Sequence, residues 1–347
     1  MKIAHIFWSF TVGGAETMLV DIMNQQVESK NNVTLIVINK NYSTQLLSSL
    51  DHRVEVVFLN RRVSSKNPLP FIRLNLLLLR KSYSVIHCHN YNLENVIIAN
   101  LLKKTIVTIH GFNRPINVKN KYFKVVAISE AIENDLKDKG LINIKTIYNG
   151  IDCEKIEKKR CFNPDLKVVC IGRLDHKIKG QDILLNAIRI LKKENLNIKL
   201  YFIGNGSSKV YLMNLVSKLK LMDDVVFYEN KPRSELYKVI KDFDVLVQPS
   251  IHEGFGLTVV EAMTACIPVV VSEAAGLMEV TCGGRYAEVI RPNTPEKIAE
   301  IIMELNEKIH TNIFHARLRE GSEYVCNNFS IKNTCDNYYD LYRQCME

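Results

Sequence analysis

No C-x-x-C pair occurs among the nine cysteines, which stand singly from Cys88 to Cys345. An odd, dispersed set of thiols excludes a disulfide framework and a cysteine zinc site, and it fits a reducing compartment. Long apolar runs are missing too. Leu69 to Leu79 is broken by Pro70, Arg73 and Asn75 and falls short of the ~20 residues that cross a bilayer. Met1 to Trp8 is too short for the core of a signal peptide. A cytoplasmic protein is expected, at most peripheral on the inner face of the cytoplasmic membrane. No internal repeat, disordered tract or nucleic-acid recognition motif is visible. The last of these absences matters because acidic residues are nearly missing from one interval. Between Arg61 and Lys124, Glu94 stands alone against Arg61, Arg62, Lys66, Arg73, Arg80, Lys81, Lys103, Lys104, Arg114, Lys119, Lys121 and Lys124, enough to account for the net charge of +9. Such a face suits an anionic membrane surface, at ~1 kcal/mol per near-surface cation, or is a solvated basic face without a partner; nucleic acid is not expected.

What is present is a repeated change of hydrophobic period. Short β-branched runs at Ile3–Trp8, Val33–Ile38, Val54–Phe58, Val85–His89, Thr105–Ile109, Lys124–Ile128 and Ile144–Tyr148 alternate with helical spacing, as at Ala15–Val27 and Leu93–Leu102. A polar linker, Asp152–Asp165, interrupts the rhythm. It restarts at Lys167–Ile171, Lys199–Ile203, Val225–Tyr228, Asp244–Gln248 and Pro268–Val271. Strand alternating with helix reads as βαβ units on a parallel sheet. At 347 residues, two α/β Rossmann-like domains are expected, 1–160 and 161–328. A last helix, Ile331–Met346, lies within 329–347.

Ligands of such sheets bind beyond the carboxyl ends of the strands. After the first strand comes Gly13-Gly14-Ala15-Glu16, where paired glycines let a diphosphate or sugar approach the amides opening a helix. It is not the G-x-G-x-x-G of a dinucleotide dehydrogenase. After Lys167–Ile171 come Gly172-Arg173 and Lys179-Gly180. Two cations just past a strand end suit a departing diphosphate, Arg as a planar fork and Lys as a compact charge. After Asp244–Gln248 comes Glu253-Gly254-Phe255-Gly256-Leu257, with Glu261 one turn into the next helix. The glycines allow amides to face an anion, and Glu261 can accept both hydroxyls of a ribose.

In this order, with His110-Gly111, Asn149-Gly150-Ile151-Asp152 and Gly204-Asn205-Gly206, the motifs resemble the family 4 retaining glycosyltransferases, over nearly the whole chain. The resemblance implies GT-B architecture, with two Rossmann-like domains facing across a cleft and the last helix crossing back to the first domain. It implies that Arg173 and Lys179 stabilise the leaving diphosphate and that Glu253, with the amides near Phe255 and Gly256, orients the donor sugar. His110 would approach that sugar from the first domain. Gly13, Gly14, Gly204, Gly254, Leu257 and Glu261 would complete the donor site. Configuration would be retained, the leaving phosphate oxygen taking the acceptor's proton. The substrates would be a nucleoside-diphosphate sugar, UDP expected, and an envelope polysaccharide or lipid-linked saccharide; no metal or other cofactor is implied. The rivals are a sugar-nucleotide epimerase of the same architecture and a catalytically silent sugar-nucleotide-binding scaffold. Intact Arg173, Lys179, Glu253 and Glu261 weigh against the silent form. Glu229-Asn230-Lys231 departs from the family, whose members often carry a glycine there.

Two further patterns imitate metal sites. Asp242-Phe243-Asp244 has the form of a D-x-D, but it stands at the wrong end of its strand. His87 and His89 share a strand face with no third ligand evident, and are expected to line the ligand-facing strand end.

Overall fold

The computed structural model describes residues 1–90, 92–112, 122–163 and 165–347. Arg114, Lys119 and Lys121 of the basic interval, and Pro164, lie outside the described residues. The chain divides into two compact units, Met1–Gly150 with Ile331–Glu347, and Ile151–Ser330.

The first unit is built on seven strands: β1 (Lys2–Phe7), β2 (Asn32–Asn39), β3 (Glu55–Arg61), β4 (Val85–Cys88), β5 (Thr105–Ile109), β6 (Lys124–Ala127) and β7 (Ile144–Thr146). Their order is β3-β2-β1-β4-β5-β6-β7, with every pairing parallel. The second unit repeats the design with β8 (Leu166–Ile171), β9 (Ile198–Ile203), β10 (Val225–Tyr228), β11 (Val245–Gln248), β12 (Val269–Ser272) and β13 (Glu288–Ile290), ordered β10-β9-β8-β11-β12-β13. A parallel sheet is covered on both faces, so its strands read as unbroken apolar runs. β11 and β12 are buried at every residue, and so is β2 after Asn32. In both sheets the strand order reverses beside the first strand, between β1 and β4 and between β8 and β11. Those gaps are where doubly wound sheets accept ligands.

The expected helix Leu93–Leu102 is instead a 3₁₀ turn, Leu93–Val96, and a short helix, Ala99–Leu102. Asn75 causes the break, its amide donating to Val96 O at 2.6 Å and accepting from Ile98 N at 2.9 Å. The polar stretch expected as a linker is partly structural. Ile151 pairs with Ser330, and Lys159 lies 2.9 Å from Asp244 with both side chains buried. Asp244 also accepts from Asn163 and from Lys167 N. This carboxylate therefore anchors the entry to the second sheet. The C-terminal helix, Ile331–Met346, buries Cys335, Tyr338, Leu341 and Tyr342 within the first unit, against β4 and the helix Gly14–Glu28.

Candidate active site

In the second unit, the gap between β8 and β11 gathers the residues marked in the sequence. β8 runs into Gly172 and Arg173, and one helical turn, His176–Lys179, ends at Gly180. The loop after β11 lies directly on that turn. Ile251 N donates to Ile178 O at 2.8 Å. Gly180, with φ of +65°, approaches so closely that a Cβ there would sit 2.2 Å from Pro249 O. This contact brings Lys179 Nζ to Glu253 Oε2 at 2.5 Å, each side chain 16% exposed. Ser250 donates to the same oxygen at 3.3 Å, and Gln248 donates to Ser250 at 3.0 Å. Glu253 is thus fixed from two sides beside an ammonium. Arg173 is more open: its guanidinium stands 3.7 Å from Asp175 and its backbone carbonyl accepts from buried Gln181.

Glu253 leads into Gly254, Phe255 and Gly256, and the helix Leu257–Thr264 begins after Gly256, whose φ is +105°. The Phe255 ring is buried edge-on against Phe329, so only its backbone can face a ligand. Gly204 abuts the end of β8, where a Cβ would meet Gly172 O. Glu261 is buried, and its carboxylate accepts from Arg233 Nε at 3.1 Å. Arg233, Gln181 and Ser250 carried no signal in the sequence. Neither did Gly276, where a Cβ would lie 2.5 Å from Gly254 C and Phe255 N, so this small residue holds the glycine loop in place.

In the first unit, Gly13 precedes the helix Gly14–Glu28 in an extended conformation. Glu16 folds beneath it, close enough that a Cβ on Gly13 would strike Glu16 Oε2, and burial raises the Glu16 pKa. His110 follows β5, its Nε2 3.4 Å from His89 Nδ1.

The expectation for His87 and His89 needs correcting, because both are buried and line no exposed strand end. A third histidine also exists. His5 on β1 pairs in register with His87 on β4, and nitrogens of His5, His87 and His89 lie within 4.8 Å of one another. Every ring nitrogen of the three nonetheless has a protein partner: Gln26 and His89 for His5, Tyr342 and Thr108 for His87, His5 and His110 for His89. A metal ion there would have to displace those bonds. Burial pushes the His5 pKa down to about 4 and holds His87 and His89 well below the usual range.

Residues 12–155 match the family model described as glycosyltransferase family 4, and residues 152–320 match the one described as glycosyl transferases group 1. The chain belongs to this glycosyltransferase family. A Methanocaldococcus jannaschii glycosyltransferase is 32% identical to it over 197 residues, 51% of this chain and 49% of that protein. The O-antigen biosynthesis glycosyltransferase WclY of Escherichia coli is 37% identical over 144 residues, 39% of this chain and 38% of WclY. The chain therefore matches about half the length, or less, of these curated relatives. Among solved structures, Anabaena HepE in complex with UDP-glucose has a TM-score of 0.82 at 20% identity, covering 99% of this chain and 100% of that one. The likeness is one of fold: this chain has the two parallel-sheet α/β domains of the GT-B architecture.

Proposed function

We propose that this glycosyltransferase moves a hexose or hexosamine from a nucleoside-diphosphate sugar, with UDP as the nucleotide, to an envelope polysaccharide or lipid-linked saccharide, retaining configuration. The observation that carries the reading is the Lys179–Glu253 pair at the gap between β8 and β11, held against the glycine loop. An ammonium already paired to a carboxylate can exchange that partner for a diphosphate, and the exposed Arg173 fork adds a second cation. Fixed cations aimed at charge that develops on the leaving group lower the barrier without reorganisation. Glu261, paired with Arg233, accepts the ribose hydroxyls. HepE, of similar fold, binds UDP-glucose, and WclY serves O-antigen biosynthesis; both agree with this donor and acceptor class. The two cations supply the charge that a divalent ion provides elsewhere, so activity should persist in excess EDTA. A thermal-shift screen over UDP-, GDP- and ADP-sugars tests the donor, since a ligand at 100 times its Kd adds ~2.7 kcal/mol. No shift with any of them would remove the reading.

The same proposal places the enzyme on an anionic membrane surface. The helix Leu69–Lys81 buries Leu74 and Leu78. Its opposite face leaves Leu69, Ile72, Leu76 and Leu79 exposed, Leu76 at 61%, with Arg73 and Arg80 exposed beside them. An apolar stripe flanked by cations suits headgroups. Other cations of the basic interval are engaged within the unit: Arg61 bonds Asn39 and Ser65, Lys104 bonds Tyr83 O, and Lys81 pairs with Glu55. Among the described residues no helix is long and apolar enough to cross a membrane. Sedimentation with anionic vesicles at low and high salt tests the proposal, because exposed charges are screened within ~8 Å at physiological ionic strength. Absence of binding at low salt would point to an acceptor in solution.

A further inference from the structure

His110 stands at the end of a line of side-chain hydrogen bonds that begins deep in the first unit. Gln26, on the helix Gly14–Glu28, presents its amide oxygen to His5 Nε2 at 2.8 Å. His5 Nδ1 meets His89 Nε2 at 2.9 Å, and His89 Nδ1 meets His110 Nε2 at 3.4 Å. Gln26 and His5 are inaccessible to solvent and His89 nearly so. The rings of His5 and His89 stack with centroids 5.2 Å apart, and those of His89 and His110 with centroids 5.6 Å apart. His89 also lies flat on Phe7 at 4.8 Å.

With the Gln26 amide oxygen toward His5, the line takes one arrangement of hydrogens. A carbonyl oxygen only accepts, so His5 Nε2 carries the hydrogen. A neutral imidazole has one N–H and one lone pair, so His5 Nδ1 accepts and His89 Nε2 donates. By the same step His89 Nδ1 accepts and His110 Nε2 donates. Neutrality is enforced by burial, which disfavours the imidazolium at His5 and His89. Each ring relays the choice made at Gln26 to the next.

We propose that Gln26, His5 and His89 are positioning residues for His110: they fix its ring and hold it as the Nε2–H tautomer, with Nδ1 as its accepting nitrogen. This rests on the reading of His110 as a contact to the donor sugar. In that role the locked ring meets the sugar in one tautomer. His87 is outside the line, being occupied with Thr108 and Tyr342.

The test is the tautomer itself. In protein labelled with ¹⁵N-histidine, long-range ¹H–¹⁵N correlation at neutral pH should show His110 protonated on Nε2 and unprotonated on Nδ1. His89→Phe keeps an aromatic ring on Phe7 but breaks the line. It should leave His110 as a mixture of tautomers and weaken donor affinity about three- to tenfold, the loss of one hydrogen bond. His89→Gln, whose amide can both donate and accept, should recover most of both. If His89→Phe fails to fold, Gln26→Met breaks the same line at its origin and should mix the tautomers alike. Two results overturn the proposal: His110 protonated on Nδ1 in the wild type, which is what Gln26 would impose with its nitrogen toward His5, or a tautomer unchanged by these variants. A separate outcome tests the underlying role. Wild-type turnover and donor affinity in His110→Ala, alongside a locked His110 tautomer in the unmutated protein, would remove His110 from the reaction and leave only the hydrogen-bond line.

Discussion

At the gap between β8 and β11, the second unit holds an ammonium and a carboxylate, each still partly in contact with solvent. At the matching gap between β1 and β4, the first unit holds imidazoles buried from water and kept neutral. The strand order around the two gaps is the same. Topology therefore chooses the location in both units, while burial decides which charge state survives there. An ion pair tolerates partial burial because each charge answers the other. A histidine without a carboxylate beside it sheds its proton instead. The second gap carries paired charges, and the first carries buried neutral rings.

The largest effect should come from removing charge at the second gap. Lys179→Met is expected to lower kcat on the order of 10²–10³-fold, with the unfolding midpoint little changed. Turnover near wild type in steady-state kinetics would break the contrast between the two gaps.

Acid should act on the first gap. Burial holds His5 at about 4 against an ordinary 6.5, and it pushes His87 and His89 down as well. The unfolded chain therefore binds protons that the folded chain refuses. Stability is full above the ordinary imidazole range and falls as pH drops through 6.5 toward 4. The His5 shift alone corresponds to about 3 kcal/mol. Urea midpoints measured across that window should fall less steeply in His5→Gln than in the wild type. Parallel slopes would show that the imidazoles do not govern the acid limb.

Two glycines sharpen the comparison further. Gly140, in the first unit, has φ of +84° and open space around its missing Cβ, whereas Gly180 has φ of +65° and Pro249 O against it. Gly140→Ala should cost about 1 kcal/mol, the backbone preference alone. Gly180→Ala should cost about 1–3 kcal/mol and also weaken donor binding, because it parts Lys179 from Glu253. Equal losses in denaturant titrations, with donor affinity intact, would mean the two loops are not held together by that contact. The smallest effect on the fold belongs to the exposed stripe. Leu76→Asp should shift stability by no more than about 0.5 kcal/mol while reducing retention on anionic vesicles, and a vesicle signal equal to wild type would remove the leucines from the membrane contact.

Alternating hydrophobic periods were enough to locate nearly every strand, because a doubly covered parallel sheet demands unbroken β-branched runs wherever it passes. They missed β13, Glu288–Ile290, whose apolar pair Val289-Ile290 is bounded by Glu288 and Arg291 and so shows no run. The C-terminal helix was legible from Tyr338, Leu341 and Tyr342 at one helical spacing. Glu253 and Glu261 were legible by their position around a glycine loop after a strand, and Arg173 and Lys179 by theirs after β8. Local patterning by itself determined these things, since secondary structure and the run-out of a strand into a loop depend on residues a few positions apart. Partnership did not lie in the sequence. That Lys179 meets Glu253, that Arg233 meets Glu261 and that Gly276 backs the glycine loop depend on which strand ends lie side by side. His5 became the neighbour of His87 and His89 only when β1 paired with β4 in one parallel register, and a shift of one residue would have turned His5 to the other face of the sheet. The charge state of those histidines was likewise a tertiary decision, because desolvation is a property of what surrounds a side chain and not of its place in the chain.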